Sequence, residues 1–97
     1  MSISAIATTI YNQIGKRTFF MLGAKNIGAG ENYLQFQIRG SKKYTHIKIE
    51  LNGKDLYDMT FYKCGKFEIK NQTTFNDVHV EDLHQFIESE TGLVTKL

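Results

Sequence analysis

Two stretches near the middle of the chain alternate strictly between apolar residues and polar or tyrosine residues. Leu34, Phe36 and Ile38 occupy every second position of 33–39, and the stretch 44–51 repeats the pattern. A period of two points alternate side chains to opposite faces of a strand, so each stretch predicts a strand with one apolar face. We expect the apolar face of the second strand to carry Thr45, Ile47, Ile49 and Leu51, and its polar face to carry Tyr44, His46, Lys48 and Glu50.

Three further strands are predicted around this pair. The nearly continuous apolar run 18–22 is typical of a strand buried on both faces. Tyr57, Met59 and Phe61 alternate within a strand over about 55–63. The short stretch 66–70 alternates lysine and glutamate with apolar residues, and we expect Phe67 and Ile69 to face inward.

The connections contain the residues that turns require. Three glycines within 23–32 predict a loop, and 40–43 predicts a turn. Asn52-Gly53 predicts a two-residue hairpin turn, because both residues tolerate positive φ. Gly65 predicts another tight turn, and 71–76 reads as a polar connection.

The two ends of the chain have helical periodicity. Four isoleucines recur at steps of three and four over 3–14, followed by Gly15 as a helix stop. Val80, Leu83, Phe86 and Ile87 predict a second helix over about 80–91, which ends at Gly92. Since 97 residues suit one domain, we expect a single α+β domain, residues 1–97, in the order α-β-β-β-β-β-α. Both helices should pack on one face of the antiparallel sheet.

Charge is unevenly distributed along the chain. Residues 1–70 hold eleven of the twelve Lys and Arg but five of the ten acids, whereas 71–97 carry a net charge of −4. Such asymmetry is typical either of a surface for an anionic partner or of an acidic helix face, and both interpretations stay open.

The single cysteine, Cys64, permits no internal disulfide, which fits a reducing cytoplasm. The N-terminal residues lack the pattern of a signal peptide or of a membrane span. We therefore expect a cytoplasmic protein with no membrane partner.

The predicted solvent face of the sheet carries tyrosines interleaved with cations. Such a face can stack bases and neutralise phosphates, although Tyr and Lys are also ordinary residues of a solvated sheet. Together with the glycine-rich loop, this face supplies the candidate partner-binding residues, which are Lys25, Asn26, Tyr33, Arg39, Tyr44, His46, Lys48 and Tyr62.

No pattern for catalysis or for a cofactor is recognisable. Cys64 has three possible histidine partners, but no motif places any of them beside it. The glycine-rich loop lacks the Lys and Ser or Thr of a phosphate-binding loop. Glu81, His84 and Glu88 fall on one side of the second helix, where a solvated helix face is a commoner arrangement than a metal site. We expect a non-enzymatic protein without cofactor or metal.

Three segments resemble a group of small proteins, of about this length, encoded by bacteriophages and integrative elements. The segments are Gly23-Ala24-Lys25-Asn26, 55–61 with the sequence DLYDMTF, and Val80-Glu81-Asp82-Leu83 leading to Glu90-Thr91-Gly92-Leu93. The resemblance covers nearly the whole chain and implies no catalytic or binding residue.

A mobile-element origin, as the resemblance implies, suggests three functions. The first is an anti-CRISPR-like inhibitor that binds a host protein or ribonucleoprotein effector, on an acidic patch or in a nucleic-acid channel. The second is a nucleic-acid-binding accessory protein of replication or transfer. The third is a homo-oligomeric assembly protein that pairs through sheet edges.

Overall fold

A computed structural model describes residues 5–93 and contains a five-stranded antiparallel sheet in which neighbours in sequence are neighbours in space. The sheet order is therefore β1-β2-β3-β4-β5. The strands are β1 (Lys25–Ala29), β2 (Tyr33–Gln37), β3 (His46–Leu51), β4 (Tyr57–Cys64) and β5 (Ile69–Val78). Two helices, α1 (Ala5–Ile14) and α2 (Lys16–Leu22), precede the sheet, and a 3₁₀ turn (Val80–Asp82) with α3 (Leu83–Thr91) follows it.

The helix α1 confirms the N-terminal prediction over the described residues, while positions 3 and 4 of the predicted helix lie outside them. Ala7, Ile10 and Ile14 are buried along one side of α1. Gly15 has a φ of 91°, which ends α1 and lets the chain enter α2 in a new direction.

The strand predicted at 18–22 is wrong, because this segment is the helix α2. Thr18, Phe19 and Leu22 are buried while Phe20 is 84% exposed, and this spacing is that of one helix face. The helix ends at Gly23, whose φ is 64°. The N–H groups of Gly23 and Ala24 donate to the carbonyls of Phe20 and Phe19, the paired bonds of a Schellman motif.

The first strand and the centre of the last strand lie in segments that were predicted as connections, and the strand predicted at 66–70 overlaps β5 only at Ile69 and Lys70. The loop predicted at 23–32 contains β1, which is irregular: its register with β2 shifts between Lys25 and Gly28, and Asn26 has a φ of 53°. The segment predicted as a connection at 71–76 is the centre of β5. A sheet edge needs only one partner, so a polar segment can form it without deep burial.

The turn between β3 and β4 is longer than predicted. The N–H of Asn52 donates to the carbonyl of Leu56 (2.8 Å), and the five-residue turn passes through Asp55 with a φ of 62°. The Asn52 side chain accepts the N–H groups of Lys54 (2.8 Å) and Leu56 (3.2 Å), which replaces the two-residue Asn-Gly turn.

The core lies on one face of the sheet, and the helices cover that face as predicted. The α+β class and the single compact domain are confirmed for the described residues, with one more helix than expected. Buried strand side chains meet the buried side chains of all three helices in one cluster. Its fully enclosed strand residues are Leu34, Phe36, Ile47, Ile49, Met59 and Phe61. We call the opposite side of the sheet the open face.

Candidate functional site: the open face and the cationic end of the sheet

Strand register arranges the open face in rows that cross the sheet. The row nearest the start of β1 contains Lys25, Gln37, His46, Tyr62 and Gln72, each opposite the next. Three of its residues, Lys25, His46 and Tyr62, are predicted binding residues. A fourth, Asn26, is joined to the row by the hydrogen bond that its side chain donates to Gln37 Oε1 (2.9 Å).

His46 and Tyr62 form the aromatic centre of this row. Their rings stack at 4.9 Å between centroids, with 8° between the planes, and His46 Nδ1 lies 2.8 Å from Thr45 Oγ1. Burial lowers the pKa of His46 below its ordinary value of 6.5. Burial also raises the pKa of Tyr62, and the nearby Cys64 raises it further. Both rings are therefore uncharged at neutral pH, and His46 adds no positive charge to the face.

The predicted cation Lys48 is already engaged within the sheet. Its Nζ lies 4.6 Å from the centroid of the Tyr33 ring and 3.5 Å from Glu50 Oε1. Glu50 lies opposite Asp58 of β4 in the strand register, so this part of the open face carries two acids as well as a lysine. The open face is consequently polar and nearly balanced in charge, rather than basic.

Tyr44 does not lie on the open face, and its predicted orientation is wrong. The residue precedes β3, outside the regular alternation, and its side chain is 1% exposed in the core. Its hydroxyl lies 2.7 Å from Thr73 Oγ1 and 3.4 Å from Glu90 Oε1, and its ring contacts Phe61. Tyr44 therefore joins β5 to α3 and is unavailable to a partner.

Arg39 is exposed, but it lies beyond the end of β2 and not within the rows of the open face. It belongs instead to a group of cations in and beside the two connections β2–β3 and β4–β5. Antiparallel topology places both connections at the same end of the sheet. We call this group the cationic end: Arg39, Lys42, Lys43, Lys63, Lys66 and Lys70.

Hydrogen bonds hold the β2–β3 connection against the end of β4 and the start of β5. Lys63 Nζ donates to the carbonyl of Lys42 (3.3 Å), and Asn71 Nδ2 donates to the carbonyl of Lys43 (3.5 Å). The N–H of Cys64 donates to Thr45 Oγ1 (2.9 Å). The meander topology puts six of the twelve Lys and Arg of the chain at this end of the sheet, while Glu68 is the one acid of the two connections.

The tip of the β4–β5 hairpin adds an exposed apolar surface to these charges. Phe67 is 90% exposed and Ile69 is 52% exposed, so the prediction that both face inward is wrong. Lys66 Nζ lies 5.6 Å from the centroid of the Phe67 ring. Neither side chain belongs to the core cluster of the described residues.

The opposite end of the sheet is acidic and internally bonded. Asn52 Nδ2 donates to Asp58 Oδ1 (3.0 Å) and to Asp77 Oδ1 (2.9 Å), and Lys54 pairs with Asp77 Oδ2 (3.2 Å). Charge is thus separated along the strand direction, with cations at one end of the sheet and carboxylates at the other.

His46 is the histidine nearest to Cys64, because the N–H of Cys64 and His46 Nδ1 both contact Thr45 Oγ1, but no hydrogen bond joins the two side chains among residues 5–93. Cys64 and His79 lie at opposite ends of the β4–β5 pair, and His84 lies on α3 with Nδ1 3.4 Å from Thr18 Oγ1. Within residues 5–93 no group of three or more His, Cys, Asp or Glu side chains is arranged to hold a metal ion, including Glu81, His84 and Glu88. None of the helices in that range is long and apolar enough to cross a membrane.

Comparison with models of known protein families, with curated proteins and with solved structures found no match.

The cationic end could have been found in the sequence. Its lysines flank Gly40 and Gly65, the two turn signals that follow β2 and β4, and alternate turns of an antiparallel meander lie at the same end. The exposure of Phe67 could not be predicted in this way. An alternating pattern shows which side chains share a face of a strand, but not which part of that face the helices cover.

Proposed function

We propose that this chain is a non-enzymatic accessory protein of a bacteriophage or integrative element that binds and inhibits a host defence effector through its cationic end. The observation that carries the proposal is the exposed Phe67 at the tip of the β4–β5 hairpin, with Lys66 Nζ 5.6 Å from its ring centroid. A partner that covers the ring and neutralises the lysines stabilises a surface that is unfavourable in isolation.

The positive charge of the cationic end determines which kind of effector surface it can bind. A channel that holds nucleic acid is itself cationic, so it repels the cationic end. An acidic patch of an effector attracts it and accelerates association at low ionic strength. An aromatic side chain that inserts at the centre of such a contact is a typical source of binding energy.

The test is a protection assay in a host that carries an active defence system against an infecting phage. We expect expression of the chain to restore plaque formation, and Phe67→Ala combined with Lys66→Glu to abolish the restoration. Phe20→Ala combined with Arg17→Glu is the matched control, because these residues are exposed on α2, and it should protect as the wild type does. Equal loss of protection in both variants, or none in either, would contradict the proposed surface.

A second candidate function is binding of single-stranded nucleic acid, and the same hairpin favours it. A base can stack on the free face of Phe67 while the lysines neutralise phosphates. Fluorescence anisotropy with a labelled oligonucleotide tests it: affinity should fall steeply as salt rises, and Phe67→Ala should weaken it. No binding at low salt would exclude this function and leave the inhibitor proposal standing.

A further inference from the structure

The outer edge of β5 carries backbone hydrogen-bonding groups without partners among the described residues. Tyr62 accepts a hydrogen bond from the N–H of Thr45 (2.9 Å), so its backbone groups point toward β3. The backbone N–H and C=O groups of successive strand residues point to alternate sides. Those of Phe61 and Lys63 therefore point toward β5. Their partners in register are Thr73 and Asn71.

It follows that the N–H and C=O of Gln72 and Thr74 point away from the sheet. Within residues 5–93 no backbone hydrogen bond reaches them from the outer side. β5 spans ten residues, and 71–76 contains neither a charge nor a proline, the usual protections of a sheet edge. The other edge, β1, is protected by its short length and its register shift.

We propose that β5 pairs with the β5 of a second copy of this chain in antiparallel orientation, which forms a symmetric dimer. This inference does not depend on the proposed function. The two-fold axis passes through the middle of the paired strands, perpendicular to the sheet, so both helix layers lie on one side of a continuous ten-stranded sheet.

The opposite charges at the two ends of the sheet favour a second copy of the chain as the partner. Lys70, the second residue of β5, lies at the cationic end, and Asp77, its second-last residue, lies at the acidic end. Antiparallel pairing brings the cationic end of each copy next to the acidic end of the other. A parallel arrangement would place like charges together.

Sedimentation equilibrium of the full chain tests the dimer. We expect the mass to rise with concentration from 11.1 kDa toward twice that value. Thr74→Lys places two like charges near the two-fold axis and should weaken the dimer about tenfold or more. Gln35→Lys is the matched control, because Gln35 lies in the same row of the open face but on the inner strand β2, away from β5, and it should leave the dimer unchanged.

Amide hydrogen exchange of the wild type locates the contact without any substitution. The amides of Gln72 and Thr74 should become protected as concentration rises, whereas those of Asn71 and Thr73 should be protected at every concentration. A mass of 11.1 kDa throughout would overturn the proposal. A dimer that leaves the Gln72 and Thr74 amides unprotected, or that tolerates Thr74→Lys, would overturn it as well.

Discussion

Tyr44 illustrates how one residue decides between a binding role and a structural role. By alternation it belongs with His46 and Lys48, yet the chain between β2 and β3 is irregular and turns its ring into the core. The buried hydroxyl is acceptable there because Thr73 and Glu90 provide partners. The residue therefore contributes to the attachment of β5 and α3.

Tyr44→Phe should lower the free energy of unfolding by about 1 kcal/mol, because it removes the hydroxyl and leaves Thr73 Oγ1 with one partner fewer. Urea denaturation measures the change. Tyr33→Phe is the control, since the Tyr33 ring keeps its contact with Lys48. A larger loss for the Tyr33 variant would contradict the assignment of Tyr44 to the core.

His46 should make the stability of the protein depend on pH. Burial holds its pKa below 6.5, so below that pH the unfolded state binds more protons than the folded state. The contribution of His46 to stability is present above 6.5 and is lost as pH falls through the lowered pKa. Denaturation at a series of pH values should show this fall, and His46→Gln should reduce it. An NMR titration midpoint for His46 at or above 6.5 would contradict the explanation.

At the scale of elements, sequence periodicity predicted the central strands correctly and misassigned α2 and the edge strands. The strands β2, β3 and β4 were predicted because each packs one face on a core and leaves the other to solvent, which produces alternation. The segment 18–22 was misassigned because its exposed position holds the apolar Phe20, so the run looks continuous in the sequence and its helical spacing is hidden. The fifth strand was predicted at 66–70, too early in the chain, because an edge strand buries too little to require apolar residues in 71–76.

The end of α2 gives a prediction about backbone geometry. Gly23 has a φ of 64°, and an added Cβ would lie 3.0 Å from Arg39 Cβ. Gly23→Ala should therefore destabilise the protein by about 1–2 kcal/mol. Gly53→Ala, where a Cβ meets nothing within 4 Å, should change stability by less than about 0.5 kcal/mol. Thermal denaturation of both variants compares them, and equal effects would contradict this account of the turn.

At the scale of the whole molecule, the fold converts a charge asymmetry along the sequence into one in space. The sequence predicted a basic open face, but Lys48 is paired there and the acids of β3 and β4 share the surface. The positive charge instead gathers at the cationic end. The meander topology determines which connections, and therefore which lysines, lie at the same end of the sheet. Periodicity alone does not specify that topology.

The separation of charge also links the two proposed surfaces. Antiparallel pairing of β5 would place the two cationic ends at opposite ends of a dimer. Each Phe67 would then be available to a separate copy of the target. Thr74→Lys should therefore still inhibit, because each monomer keeps its own Phe67. For a target that is clustered, the same variant should bind with lower apparent affinity, because it has lost the second binding surface of the dimer.

The central claim, that Phe67 and the cationic end form the contact with a host effector, is tested most directly by site-specific photo-crosslinking. A photo-crosslinking phenylalanine analogue replaces Phe67 in one sample and Phe20 in another, and both are irradiated in host cells that express the chain. We predict that one host protein is captured from position 67 and not from position 20. Capture of the same protein from both positions, or from position 20 alone, would contradict the claim.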